Sequence, residues 1–203
     1  MVIMGMKIVF ATNNEHKIKE IRNILGRSFT LLSLHDLKIK EEIPEEEPTL
    51  EGNAMQKARF IHKKLNINVF ADDTGLEIEV LNGLPGVNSA RFAGEKKDSD
   101  ANIDKVLGMM GSSNNRKARF RTVIALIMNS KEYLFEGIVN GHIINERRGK
   151  DGFGYDPVFI PEGNDRTFAE MSLDEKNKIS HRALAFEKLR DFLIKYQDNK
   201  DAV

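Results

Sequence analysis

The chain contains no cysteine among its 203 residues. Disulfide bonds, thiolate chemistry and cysteine-based zinc sites are therefore excluded, and a reducing cytoplasm is the simplest compartment for the protein. No apolar run approaches the ~20 residues that a membrane-spanning helix needs, so we expect no membrane partner. The N-terminal stretch is too short for a signal peptide and carries Lys7 in its middle.

An excess of one charge is also missing, because 31 lysines and arginines balance 31 aspartates and glutamates. Proteins that bind nucleic acids or membrane surfaces usually show a basic excess, so we expect no nucleic-acid partner. The length suits one domain over residues 1–203, built as two lobes, and is short for two independent domains. Met6 directly precedes the first apolar run, so Met1 to Gly5 are interpreted as a start-site extension.

The spacing of apolar residues predicts an α/β fold in which strands and helices alternate. Strands are expected at residues 7–11, 31–34, 69–71, 76–80, 118–128, 133–139, 142–144 and 157–160, and helices at 14–25, 50–65, 101–110 and 180–196. Gly26 is a stop signal for the first helix, and Thr49 is an N-cap for the second. The long central hairpin indicates a second lobe rather than a plain doubly wound sheet.

The first candidate binding segment lies where the first strand turns into a helix. Its residues are Thr12, Asn13, Asn14, Glu15, His16 and Lys17. Thr12 and Glu15 have the spacing of a capping box, and a helix N-terminus offers unpaired N–H groups and a positive dipole end. Lys17 is unfavourable at that end by ~0.3–1 kcal/mol, which an anionic ligand would offset. The alternative is a well-capped surface helix with a solvated lysine.

Two adjacent carboxylates, Asp72 and Asp73, follow the strand predicted at residues 69–71, which is expected to stop there. Ligand sites of α/β sheets lie at the carboxyl ends of strands. Neighbouring side chains of an extended chain point to opposite sides, so the two carboxylates are expected to have separate jobs. One holds a metal or activates water, and the other anchors the turn. An Asp-rich turn with local hydrogen bonds is the competing interpretation.

An acidic loop at residues 41–47 supplies further carboxylates. Mg²⁺ takes hard oxygen ligands, often only one or two carboxylates together with phosphates. One glutamate of this loop is therefore a candidate partner for an aspartate at a metal. For any single glutamate, a solvated charge run is the alternative.

A glycine-flanked aromatic occurs at Phe153, between Gly152 and Gly154. Glycines let a backbone approach a ligand closely, and an aromatic ring on such a loop can stack on a base. A tight turn with a core aromatic is the alternative.

Cationic side chains collect where the last helix begins. Ser180 is suited to cap that helix, and His181 and Arg182 fall in its first turn, with Lys176 just before. Positive charge is unfavourable at this end of a helix, so the pattern indicates a phosphate or a keto oxygen bound there. A contact with the acidic loop is the alternative.

Together these segments resemble one family, the inosine/xanthosine triphosphate pyrophosphatases. Six stretches match its motifs in the family order and cover nearly the whole chain: residues 10–17 (FATNNEHK), 49–58 (TLEGNAMQKA), 71–76 (ADDTGL), 86–92 (GVNSARF), 152–157 (GFGYDP) and 179–182 (ISHR). Each motif alone is weak, but six in order are specific. Gly52 departs from the pattern, since many relatives carry a glutamate there, and a role for that carboxylate is not transferred.

The resemblance implies an elongated, two-lobed α/β protein with a mixed sheet flanked by helices and an active-site cleft between the lobes. It implies a homodimer, to which the long apolar hairpin also points, and dependence on Mg²⁺. The implied activity is hydrolysis of the non-canonical purine nucleoside triphosphates ITP, dITP and XTP to the monophosphate and pyrophosphate. Such an activity cleanses the nucleotide pool.

The resemblance also implies residue roles. The segment from Thr12 to Lys17 is the triphosphate cradle, and Asp73 is the metal-binding general base, with Thr74 beside the substrate. Glu45 is the best match for the metal-associated glutamate. The other implied substrate contacts are Phe153, Gly154, Tyr155 and Asp156 in a base-stacking loop and Lys176, His181 and Arg182 at the base and phosphates.

This chemistry suits the residues, because water must attack the α-phosphorus while cations neutralise the leaving pyrophosphate. A carboxylate next to a metal is expected to have a low pKa, so positioning the water is a large part of its role. Two other functions stay open: a pyrophosphatase for modified pyrimidine nucleotides, and a nucleotide-binding regulator without catalysis. The presence of Asp73 beside a full set of cationic residues disfavours the second.

Overall fold

The computed structural model describes residues 6–25, 29–39, 41 and 43–201. In chain order these residues form β1 (Met6–Phe10), α1 (Glu15–Leu25), β2 (Phe29–Ser33), α2 (Leu50–Leu65), β3 (Val69–Ile78), β4 (Pro85–Gly86), α3 (Ser99–Met110), β5 (Lys117–Met128), β6 (Lys131–Ile143), β7 (Phe159–Pro161), α4 (Leu173–Lys176) and α5 (His181–Asp201). The start-site extension at Met1 to Gly5, the helix stop at Gly26 and Glu42 of the acidic loop lie outside the described residues.

The strands form a mixed sheet in the order β2-β1-β3-β5-β6-β7, and β4 pairs with β3. β1 runs parallel to both neighbours, whereas β4 is antiparallel to β3 and β7 is antiparallel to β6. Asn129 and Ser130 both have positive φ, 49° and 62°, as a two-residue hairpin turn between β5 and β6 requires. The predicted mixed α/β sheet with flanking helices is confirmed.

The chain divides into two compact units. Unit 1 contains the described residues of Met1–Asp73, Val123–Gly137 and Ala183–Val203, and unit 2 contains Thr74–Thr122 and Ile138–Arg182. The assignment of the whole chain to one domain with a cleft stays a prediction. No helix within the described ranges has both the length and the apolar content that crossing a bilayer demands.

Each unit has its own aromatic core. In unit 1, the rings of Phe10 and Phe70 stack with centroids 4.6 Å apart, and Phe186 meets both edge-on. In unit 2, the ring of Phe159 packs edge-on against Phe120 at 4.7 Å. Buried aromatic pairs of this kind stabilise a core beyond the area they bury. Asp72 and Asp73 therefore lie on β3 just after Phe70, which is packed in the core of unit 1.

Three local predictions were wrong. β3 does not stop at Asp72 but continues to Ile78, because lysines compensate its carboxylates and Gly75 lets the backbone of β4 approach closely. The separate strand predicted at residues 142–144 is the end of β6, which continues to pair with β7. The cap of α1 is Asn14, whose Oδ1 accepts from the Lys17 N–H at 3.2 Å, and not a box of Thr12 and Glu15.

Candidate active site

Parallel pairing of β1 with β3 brings the first two candidate segments together. Phe10 lies opposite Phe70, so the loop after β1 meets the following residues of β3. Lys17 Nζ donates to Asp72 Oδ1 at 2.8 Å, and the Asp72 side chain is fully buried. Asp72 therefore ties the N-terminal turn of α1 to the sheet, and it does not anchor a turn after residue 71 as predicted, because β3 continues there.

The other residues of the predicted cradle differ in how far they are buried. Thr12 and Asn14 are half-buried, and the Thr12 hydroxyl accepts from the Asn14 N–H at 3.2 Å. Asn13, Glu15 and His16 are exposed. Their contact with a triphosphate stays a prediction.

Asp73 belongs to a second cluster in unit 1. Lys57 Nζ lies 2.9 Å from Asp73 Oδ1 and 2.8 Å from Glu45 Oε1, so one ammonium joins both predicted metal ligands. Asn53 donates to Asp73 Oδ2 at 3.4 Å and accepts from the backbone N–H of Glu47 at 2.9 Å. The cluster thereby links the acidic loop, α2 and β3.

Lys57 and Asn53 were missed by sequence reasoning, although a signal for both was present. Asn53 and Lys57 lie at i and i+4 on the buried stripe of α2, next to Ala54 and Ala58, where a polar side chain needs a partner. Only 5% of Lys57 is exposed. A lysine on an apolar helix face predicts a buried carboxylate opposite it.

The pKa values of Asp73 and Lys57 are set by burial and by the neighbouring charges. Burial raises the pKa of Asp73 and outweighs the lowering by Lys57 and Lys17, while Glu45 raises it further. Burial alone would lower the pKa of Lys57, but Asp73, Glu45 and Asp72 together raise it. Lys57 is therefore firmly protonated. The direction for Asp73 is opposite to the low pKa expected next to a metal, because burial outweighs the two ammonium groups of Lys57 and Lys17.

Asp73 and Glu45 could supply only part of the coordination of a Mg²⁺ ion. In the part of the chain that the structure describes, no group of three or more histidine, aspartate or glutamate side chains is arranged around a possible metal position. Asp73 and Glu45 nevertheless hold their oxygens around one positive charge. Magnesium is commonly bound through one or two carboxylates, with phosphates and water completing its coordination. These two residues match that pattern.

Gly52, the departure from the family motif, has a structural reason. A Cβ at position 52 would lie 2.6 Å from Cβ of Glu47 and 3.1 Å from Oγ1 of the cap Thr49. Glu47 therefore occupies the space that a side chain at position 52 would take. In this chain the acidic loop lies directly against the first turn of α2.

In unit 2, a chain of hydrogen bonds links three of the predicted site residues. Thr74 Oγ1 lies 2.8 Å from Thr122 Oγ1, which lies 2.6 Å from His181 Nδ1. Arg182 Nη2 donates to Thr74 Oγ1 at 3.4 Å. The rings of His181 and Phe120 stack with centroids 4.7 Å apart. His181, Arg182 and Thr122 are all buried.

The glycine-rich loop is shaped by Asp156. Its Oδ2 accepts from the Phe153 N–H at 2.8 Å and from Lys176 Nζ at 2.7 Å, and both side chains of this ion pair are 3% exposed. Gly152 has φ 75°, and a Cβ there would lie 2.2 Å from Asp156 Oδ2. The Asp156 carboxylate and the glycine thus fix the turn that carries Phe153.

The Phe153 ring lies close to two of the predicted base-contacting cations. Lys176 Nζ is 5.0 Å and Arg182 Cζ is 5.4 Å from its centroid, distances typical of cation–π contacts. Tyr155 instead lies in the core of unit 2, and its hydroxyl donates to the carbonyl of Ser89 at 2.9 Å. Burial raises the pKa of that hydroxyl. Roles for Tyr155, Gly154 and Phe153 in binding substrate stay predictions.

The sequence of this chain matches a known protein family. The model of the Ham1 family matches residues 8–192. The chain belongs to the Ham1 family. It is 54% identical over 189 residues to the dITP/XTP pyrophosphatase of Porphyromonas gingivalis, covering 93% of this chain and 97% of that protein. It is 48% identical to the dITP/XTP pyrophosphatase of Bacillus subtilis, with 95% and 99% covered.

Solved Ham1 structures share the fold. The Ham1 protein of Staphylococcus aureus superposes with a TM-score of 0.85 at 39% identity, covering 94% of this chain and 99% of that one. The HAM1 protein of Coxiella burnetii gives 0.86 at 37% identity with the same coverage. The resemblance inferred from six sequence motifs is therefore confirmed at the level of the family and the Ham1 fold.

Proposed function

We propose that this Ham1 protein hydrolyses non-canonical purine nucleoside triphosphates, ITP, dITP and XTP, to the monophosphate and pyrophosphate. The observation that carries the proposal is the buried cluster of Asp73, Lys57 and Glu45, in which two carboxylates share one ammonium. The relatives named dITP/XTP pyrophosphatases support the substrate class. The cytoplasm is the compartment we propose, since nucleoside triphosphates are used there.

The reaction requires a water oxygen to bond to the α-phosphorus while the bond to the pyrophosphate oxygen breaks. Asp73 orients this water and takes its proton, which is the role of a general base. Lys57 and Lys17 offset negative charge that moves to the pyrophosphate. Asp73 and Glu45 are the residues that would hold Mg²⁺, which when bound supplies further charge stabilisation on the phosphates.

Recognition of the purine base is assigned to Lys176, His181 and Arg182. Their polar hydrogens can be donated to a keto oxygen of the purine. Phe153 is assigned to stacking. Asp156 orients both Phe153 and Lys176 through the two hydrogen bonds that its Oδ2 accepts. The residues from Thr12 to Lys17 bind the triphosphate at the N-terminus of α1.

The function is tested by measuring pyrophosphate release from a panel of purine and pyrimidine nucleoside triphosphates with Mg²⁺. Release from ITP, dITP and XTP is expected. Preference for modified pyrimidine nucleotides would replace the proposal with the related pyrophosphatase. Nucleotide binding without release from any member of the panel would leave only a regulatory protein.

Replacing Lys57 with methionine is expected to lower kcat for ITP on the order of 10²-fold, as for other charge-stabilising groups aimed at a reacting phosphate or carbonyl. Methionine keeps the apolar stem but leaves Asp73 and Glu45 without their common cation. Lys63→Met, on the exposed face of the same helix, is the matched control and should keep full turnover. A folded Lys57→Met protein with turnover within twofold of the unchanged chain would contradict the assignment.

A homodimer is the assembly that we propose. Leu134 of β6 and Ile194 of α5, both in unit 1, expose 50% and 41% of their surfaces, and we propose that a second copy of the chain covers them. Light scattering at micromolar concentration is expected to give twice the 23.1 kDa of the chain. A monomer alone at that concentration would exclude this assembly.

A further inference from the structure

Thr122 is a buried hydroxyl in an otherwise apolar part of β5. It is 0% exposed, and the residues that follow it on the strand, Val123 to Met128, are all buried and apolar. Its Oγ1 lies between Thr74 Oγ1 at 2.8 Å and His181 Nδ1 at 2.6 Å. Thr122 can donate its one hydroxyl proton to only one of these two neighbours. The direction of the hydrogen bonds therefore decides whether Nδ1 of His181 accepts or donates.

Arg182 sets that direction. A guanidinium has only donors, and Arg182 Nη2 lies 3.4 Å from Thr74 Oγ1, so Thr74 accepts at this end. Thr74 can then donate its own proton to Thr122, and Thr122 can donate to Nδ1 of His181. In this order each hydroxyl accepts one hydrogen bond and donates one, whereas in the reverse order Thr74 would accept from both Arg182 and Thr122. The ring of a neutral histidine then carries its proton on Nε2.

Two further contacts keep the ring in place. Phe120 stacks on His181 with an interplanar angle of 21°, which holds the imidazole plane while Thr122 holds Nδ1. A histidine that is 2% exposed exchanges hydrogen bonds with water only to a small extent. Because Thr122 contacts Nδ1 directly, a proton donated by its hydroxyl favours the tautomer that carries the ring proton on Nε2.

We propose that Thr122 is a positioning residue that fixes His181 as the Nε2–H tautomer and thereby makes it a hydrogen-bond donor toward a 6-keto purine. The proposal rests on the proposed function, since it assigns the base contact to His181. In the opposite tautomer Nε2 would accept a hydrogen bond and would suit the 6-amino group of adenine. Thr122 thus influences the preference for 6-keto over 6-amino purines through His181, without contacting the substrate itself.

The tautomer is measured directly by long-range ¹H–¹⁵N correlation spectra of the whole ¹⁵N-labelled chain. The protein has five histidines, and the spectrum of a His181→Gln variant identifies the signals of His181. We expect Nδ1 at the shift of an unprotonated ring nitrogen and Nε2 at that of a protonated one. The reverse assignment, or two protonated nitrogens, overturns the proposal whether or not the protein hydrolyses any nucleotide.

The consequence for base choice is tested with a matched pair of variants. Thr122→Val removes the hydroxyl and keeps the branched shape, and Thr122→Ser keeps the hydroxyl and loses the methyl group. The ratio of kcat/KM for ITP to that for ATP is expected to fall about tenfold in the valine variant and to stay within about threefold in the serine variant, as loss of one buried hydrogen-bond partner would give. An unchanged ratio in a folded valine variant assigns Thr122 a purely structural role and overturns the proposal. Failure of the unchanged chain to hydrolyse ITP refutes the proposed function instead, and the tautomer measurement stays valid.

Discussion

Asp73→Asn is expected to reduce pyrophosphate release from ITP on the order of 10³-fold or more, within the range that general bases contribute, while nucleotide binding and folding stay largely intact. The substitution removes the charge and the proton acceptor but keeps the shape of the side chain. Lys57 retains Glu45 as a partner at 2.8 Å. The charge cluster of unit 1 is thus weakened, but Lys57 keeps a carboxylate.

The stability of this variant follows from two opposing effects. Burial raises the pKa of Asp73, which means that the folded chain holds the ionised carboxylate less favourably than the unfolded chain does. A neutral amide removes that cost above the unfolded pKa. Against this, Asn53 donates to Asp73 Oδ2, and an amide nitrogen placed there would face another donor, a loss of about 1 kcal/mol. The melting temperature should therefore change by only a few degrees.

Asp36→Asn is the matched control, because it makes the same substitution elsewhere in unit 1. Asp36 Oδ2 accepts from the backbone N–H of Ser33 at 2.8 Å and lies 3.4 Å from Arg22 Nη2, and neither partner belongs to the cluster. Turnover of the Asp36 variant should equal that of the unchanged chain. If the purified Asp73→Asn protein keeps more than a small fraction of turnover with Mg²⁺, Asp73 is not the base.

Local sequence patterns predicted most of the elements, because their causes are local. The helix that begins after Thr49 was predicted from a cap and an apolar stripe, and the Thr49 side chain accepts from the Gly52 N–H at 3.0 Å. The hairpin between β5 and β6 was predicted from alternation around a polar turn. The separate roles of Asp72 and Asp73 were also predicted, since adjacent side chains of a strand diverge, and each aspartate has its own lysine.

What sequence reasoning missed depends on residues that are distant in the chain. Lys57 meets Asp73 across 16 positions, and Thr122 meets His181 across 59. A lysine or a threonine in an apolar pattern indicates that a partner exists, but the partner is set by the order of strands in the sheet. The continuation of β3 past Asp72 was missed for the same reason, because the lysines that compensate its carboxylates lie on α1 and α2.

ITP, dITP and XTP are expected to be hydrolysed with kcat/KM about 10²-fold or more above that of ATP, since a site built around a buried hydrogen bond rejects the wrong partner strongly. These purines carry a keto oxygen at position 6, where adenine carries an amino group. Lys176 and Arg182 are donors only, and His181 joins them when Nε2 carries its proton. With ATP, a donor would face a donor and buried polar groups would be left unpaired.

Stacking and the 6-keto oxygen do not by themselves distinguish all purines. Phe153 should stack on any purine, so it contributes affinity without discriminating between bases. GTP also has a 6-keto oxygen, and its rejection must come from its 2-amino group, by steric conflict or by an unpaired donor.

The measurement is steady-state kinetics on ITP, XTP, GTP and ATP with the unchanged chain, with Arg182→Ala and with Arg190→Ala. Arg190 lies on the same helix and pairs with Asp191 at 3.3 Å, so its variant controls for loss of an α5 arginine and should keep the full ratio of ITP to ATP. Loss of Arg182, which is 1% exposed, should lower that ratio, and circular dichroism must show that the variant is folded. Comparable kcat/KM for ITP and ATP in the unchanged chain would refute the donor-lined site. An unchanged ratio in a folded Arg182→Ala variant would remove Arg182 from base recognition and leave it to Lys176 and His181, the second of which Thr122 holds in its donor form.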